Sequence, residues 1–161
     1  MQTYIGTKVI NAKPMNRQEY NDFRGWELPS DEDGSDEGYL VEYVDGGQAN
    51  TEQYAGYVSW SPKDVFERAY NPNGSLTFGD ALVLLKQGKR VSRAGWNGKN
   101  QFVYLIKVAD LQKTLGYGYG EYLEEPTIQS ALAIKTAANQ IQIGWLASQT
   151  DMLANDWRVI D

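Results

Sequence analysis

The residues best suited to chemistry sit in one tight turn. Gly95-Trp96-Asn97-Gly98-Lys99 follows Arg93 and precedes Phe102. Glycine lets backbone N–H groups approach an anion, Arg93 and Lys99 supply positive charge, and an indole stacks on a nucleobase for about 1–3 kcal/mol per base. The same residues also make an ordinary hairpin turn, with Trp96 packed on its own domain and the lysines solvated. Spacing alone leans to that simpler reading, because short glycine-containing turns are common.

A second cluster lies near the end of the chain. Ser148 and Asp151 form a capping pair that starts a short helix, Gln149 to Asn155. The free N–H groups of its first turn, with Ser148, Gln149 and Thr150, would make an anion site. Alternatively these side chains only cap the helix, and the residues themselves leave both readings open. Asp151 and Asp156 are the carboxylates nearest the turn, and with a divalent ion they would serve a nucleotide hydrolase, but no third ligand converges on them. The stretch Asp31-Glu32-Asp33-Gly34-Ser35-Asp36-Glu37 has calcium-loop spacing up to Glu42, yet Asp36 stands where that loop needs glycine. It reads as a solvated acidic loop. The chain has no Cys and no His, which excludes disulfides, thiolate or imidazole metal sites, and Ser-His or Cys-His nucleophiles. Carboxylate and lysine chemistry, or binding alone, remain.

The elements that must position these groups fall into two halves. The 161 residues carry 15 Lys and Arg against 21 Asp and Glu, a formal charge of −6, which argues against nucleic acid or an anionic membrane as partner. The charge is uneven. Residues 1–70 hold 6 basic and 13 acidic side chains, whereas 71–161 hold 9 and 8, and the change falls at Asn71-Pro72-Asn73-Gly74. Between Asp80 and Asp110 there is no acidic residue, while Lys86, Lys89, Arg90, Arg93, Lys99 and Lys107 are basic. No apolar run is long enough to span a membrane and the start of the chain lacks signal-peptide regions, so a cytoplasmic protein is expected.

Fold class reads as α+β, two small units, each a short antiparallel sheet with one or two short helices. The expected organisation is an acidic N-terminal domain over 1–70, a linker over 71–75 and a second domain over 76–161. In the first, Tyr4 to Ala12 reads as a strand, Asn16 and Glu19 as a capping box for a helix ending near Gly25, and Tyr39–Val44 and Gly56–Trp60 as paired strands. Ser61 as N-cap and Pro62 at the first helical position predict a helix to Tyr70, with Val65, Phe66 and Ala69 inward. In the second, Thr77 opens a helix over Phe78–Lys86 stopped by Gly88. Strands follow at Lys89–Arg93, Phe102–Ile106, Ala131–Thr136, Ile141–Leu146 and Trp157–Ile160. Leu115 to Tyr122, rich in Gly and Tyr, reads as an aromatic ligand lid or a surface loop.

Two long motifs carry a resemblance. Leu76-Thr77-Phe78-Gly79-Asp80-Ala81-Leu82 with Gly88-Lys89-Arg90-Val91-Ser92-Arg93-Ala94-Gly95-Trp96-Asn97-Gly98-Lys99, and Gly144-Trp145-Leu146-Ala147-Ser148-Gln149-Thr150-Asp151-Met152-Leu153-Ala154-Asn155-Asp156-Trp157, are similar to the phage-encoded Thoeris anti-defence family of the second type. The resemblance spans residues 75–161, apart from 109–126. It implies a sponge rather than an enzyme, without cofactor, in the cytoplasm of the infected host. Its ligand would be the cyclic ADP-ribose signal of TIR-domain defence proteins, with a cyclic dinucleotide of the related cyclic-oligonucleotide defence as a second. It also implies a homotetramer with ligand sites between subunits. The family's turn falls on Trp96 and Asn97, with Phe102 as the aromatic that follows. Its closing motif falls on Trp145, Ser148, Gln149, Thr150, Asp151 and Asn155. Arg24-Gly25-Trp26-Glu27 and Gly56-Tyr57-Val58-Ser59-Trp60-Ser61-Pro62-Lys63 resemble a small accessory domain of longer phage members. A separate reading makes the acidic half a docking surface for a host protein, or a DNA mimic.

Overall fold

A computed structural model describes residues 1–115 and 129–160, the side chains of 112–115 excepted. The segment read as lid or loop lies outside these residues, apart from the backbone of Leu115. The chain divides into two compact units, Met1–Asn71 and Pro72–Asp161. Each holds one antiparallel sheet with short helices, so the fold is α+β.

In unit 1 the sheet runs in the order β1 (Ile10–Pro14), β2 (Gly38–Tyr43), β3 (Tyr57–Pro62). Helix α1 (Arg17–Arg24) starts at the capping box that the sequence predicts, in which Glu19 N–H donates to Asn16 and Asn16 N–H donates to Glu19, both at 2.8 Å. It stops at Gly25, whose φ of 67° is left-handed. Tyr20 of this helix packs against Leu40 and Val58 to form the core.

Two expectations for unit 1 are corrected. The first strand is Ile10–Pro14, not Tyr4–Ala12, because β2 ends at Tyr43, opposite Ile10, and leaves residues 4–9 without a strand to pair. Tyr4 and Ile5 are accordingly 82% and 98% exposed. Helix α2 (Lys63–Ala69) begins beyond Pro62, since Pro62 still pairs with Gly38 in the sheet and no side chain caps the helix. Only Phe66 of its three expected inward residues is partly buried, stacked on Tyr39 with centroids 4.1 Å apart. In the acidic loop, Asp33 accepts from the Ser35 N–H and hydroxyl, Glu32 from Arg17, and Glu37 from Lys63.

Unit 2 opens with α3 (Phe78–Lys86), capped by Thr77 and Asp80. Then come β4 (Arg90–Arg93), β5 (Phe102–Ile106), α4 (Val108–Leu115), β6 (Ala131–Lys135), β7 (Ile141–Ile143), α5 (Gln149–Met152) and β8 (Trp157–Ile160). Spatial order is β7-β6-β5-β4-β8. Helix α4 adds to the expected elements; Val108, Leu111 and Leu115 have helical spacing, and Leu111 is buried. Strand β7 stops three residues short of the expected Leu146. Gly144 turns to φ 89°, and its N–H and that of Trp145 both donate to the Leu132 carbonyl at 2.9 Å. Helix α5 ends at Met152 rather than Asn155.

The two faces of this sheet differ. Alternation along β4 sends Val91 and Arg93 to one side and Arg90 and Ser92 to the other. On the first side Ala81 and Leu85 of α3 close over Val91, Val103 and Trp157, all nearly or fully buried. That closed face supplies the core. Among the described residues, no helix is long and apolar enough to cross a membrane.

Candidate ligand-binding groove

The conspicuous residues of the sequence meet on the closed side. Arg93 donates from Nη1 to Asp151 Oδ1 and from Nε to Asp156 Oδ1, each at 2.8 Å. Asp156 Oδ2 accepts the Gly95 N–H at 2.7 Å, which pins the start of the turn. Asp151 Oδ1 also accepts the Trp96 indole N–H at 3.0 Å, and its Oδ2 accepts the hydroxyl and N–H of Ser148 at 2.8 and 3.0 Å. The Trp157 indole donates to the Asp151 carbonyl at 3.0 Å. Around this carboxylate Trp96, Trp145 and Trp157 meet edge to face, with centroids 5.5 to 6.3 Å apart.

Electrostatics follow from these contacts. Burial pushes the Asp151 carboxyl up, but hydrogen bonds from Arg93, Trp96 and Ser148 outweigh it and bring its pKa to about 2. Hydrogen bonding to Arg93 likewise lowers Asp156, and the two carboxylates together raise Arg93. The arrangement is a latch that ties the turn to the closing segment. Both carboxylates on which a metal-dependent hydrolase would rely are held by one guanidinium. Among the described residues no group of three or more His, Cys, Asp or Glu could hold a metal ion.

A groove of about 740 Å³ opens on the other side of the turn. Arg93, Trp96, Asn97, Lys99 and Phe102 line it, so five of the residues expected to bind ligand come together there. Trp145, Ser148, Gln149, Thr150, Asp151 and Asn155 do not line it. Trp145 and Asp151 belong to the latch, Ser148 caps the four-residue α5, and Gln149, Thr150 and Asn155 are exposed. The Gly95 N–H, expected to face an anion, is taken by Asp156, and the space a side chain would need at Gly98 is filled by Gln101.

The groove also gathers Arg90, Ser92, Lys135 and Arg158, none of which the sequence places among the expected ligand residues, although Arg90 belongs to its basic interval. Their signal was alternation: Arg90 and Ser92 flank the buried Val91, and Arg158 lies beside Val159, so both segments put polar residues on the face opposite the core. Arg90, Lys135 and Arg158 form no salt bridge with any described carboxylate, in contrast to Arg93. The Arg90 guanidinium lies over the Phe102 ring, 5.1 Å from its centroid. A cationic groove with an aromatic floor suits an anionic ligand that carries a planar ring.

Fold and groove together define unit 2 as a small α+β domain with one sheet face closed by a helix and a cationic groove on the other. Residues 76–160 match the model of the Tad2-like family, described as the Thoeris anti-defense 2-like domain. A protein of Bacillus phage SP01 named Thoeris anti-defense 2 is 48% identical over 85 residues, which cover 53% of this chain and 94% of that protein. The chain belongs to the Tad2-like family, and with it to phage anti-defence.

Proposed function

We propose that the protein is a sponge for a cyclic nucleotide immune signal. It binds glycocyclic ADP-ribose made by TIR-domain proteins, takes a cyclic dinucleotide as a second ligand, and releases either one unchanged. The observation that carries this reading is the groove, where Arg90, Lys135 and Arg158 stand beside Phe102 with no partner among the described carboxylates. A sponge has to outcompete the effector, which calls for nanomolar binding, about −12 kcal/mol. Charge-assisted hydrogen bonds to phosphate, each worth about 1.5–3 kcal/mol, and ring stacking supply terms of the required size.

No step of holding a ligand needs proton transfer or a nucleophile, so the protein acts without catalysis. A chain with neither His nor Cys is suited to that task. The working form is a homotetramer in the host cytoplasm, with subunits closing over the ligand. The test is to incubate protein with glycocyclic ADP-ribose, remove free ligand, heat to denature, and weigh what is released. Depletion before heating and recovery of intact ligand afterwards are expected. A cleaved product, or no depletion, overturns the sponge.

A further inference from the structure

The groove's floor is one rung of the sheet. Ser92 pairs with Arg158 across β4 and β8, and Phe102 pairs with Lys135 across β5 and β6. The Val91 to Val103 register sets Ser92 beside Phe102. Arg158, Ser92, Phe102 and Lys135 therefore follow one another on four adjacent strands and point to the same side. Three strand spacings separate the ends of this rung, roughly 14 Å. Long cationic side chains stand at both ends, and a ring lies between them.

Arg90, two positions before Ser92, leans over that ring, with its guanidinium carbon 5.1 Å from the Phe102 centroid. A guanidinium held over an aromatic ring keeps its outward face and its edge donors for a ligand. Ser92 is only 5% exposed and lines the groove, and no described residue hydrogen-bonds its hydroxyl, so a polar group waits in the middle of the rung. Trp96, the obvious candidate for stacking, is otherwise engaged: its N–H goes to Asp151, and its ring meets Trp145 and Trp157.

We infer that Arg90, laid on Phe102, is the base platform of the groove and its specificity-determining residue. The planar ring of the ligand stacks on the guanidinium, Arg158 and Lys135 take its phosphates from the two sides, and Ser92 donates from below. This rests on the reading of the groove as a nucleotide site. It assigns base recognition to the open sheet face rather than to the tryptophans.

Arg90→Lys keeps the charge and removes the plane, which makes it the informative substitution. Two probes are titrated calorimetrically against wild-type protein, Arg90→Lys and Phe102→Leu: glycocyclic ADP-ribose, and inorganic pyrophosphate, which has no base. Loss of one stacked base predicts that both variants bind the nucleotide about tenfold or more weakly. Pyrophosphate affinity should stay within about twofold, since every cation is retained. Unchanged nucleotide affinity in both variants, or equal weakening toward both probes, overturns the platform while the groove stands. Failure of wild-type protein to bind either probe removes the groove reading and the platform with it. Unfolding midpoints of the variants, expected to match the wild type, separate lost recognition from lost structure.

Discussion

Arg93 and Arg90 stand on the same four-residue strand and have opposite surroundings. Arg93 falls by alternation with the buried-face residues and reaches the rim of the groove, yet its side chain is 12% exposed and clamped between Asp151 and Asp156. Arg90 is turned the other way, over Phe102, with no carboxylate partner among the described residues. A buried charge is tolerated only when paired, so the first arginine is committed to holding the protein together. The second is held by no described carboxylate and rests over an aromatic ring. The closed face fixes the turn, and the open face is the one proposed to bind.

The largest break in this comparison should come from Asp151→Ala. It strands the Arg93 guanidinium, frees the Trp96 indole and removes the α5 cap, so a loss of about 3–5 kcal/mol of stability is expected from chemical denaturation. Arg158→Gln, on the open face, should change stability by no more than about 0.5 kcal/mol. Comparable losses in both would erase the distinction between the faces.

Acid should weaken the closed face of this sheet rather than the open one. The Asp151 carboxyl titrates at about 2 in the folded protein against a reference value of 3.8, so folding favours its ionised form. Its contribution is fully present above about pH 5 and is lost as pH falls through 4 toward 2, on the order of 1–2 kcal/mol. The lowered Asp156 acts in the same direction. Asp151→Asn should start less stable and show a flatter profile across this window than the wild type. Parallel profiles would place the acid sensitivity elsewhere.

Most of the fold was legible because local chemistry dictates it. The capping boxes at Asn16, Thr77 and Ser148 each start a helix where the spacing predicts. Strand limits were less legible, because they depend on partners. Nothing in Tyr4 to Val9 announces that β2 is too short to pair with them, and nothing in Ile141 to Leu146 announces the double donation to Leu132. The site divides in the same way. Trp96, Ser148 and Asp151 stand out by type, and their prominence comes from the latch, whose members must match one another. Arg90, Lys135 and Arg158 look like ordinary surface cations until the register of four strands brings them to one groove.

The smallest effects are expected from the exposed part of the closing motif. Gln149→Ala and Asn155→Ala should leave ligand affinity within about twofold and stability within about 0.5 kcal/mol. A tenfold loss of binding in either would extend the ligand site beyond the groove, toward α5.

If the open face binds and the closed face holds the structure, the two functions should separate in one variant. The most direct measurement is a calorimetric titration of glycocyclic ADP-ribose into Lys135→Gln/Arg158→Gln, paired with the thermal midpoint of the same variant. Removing two charge-assisted contacts should weaken binding about 100-fold or more. The midpoint should move by less than about 3 °C. Wild-type affinity in this variant would contradict the account.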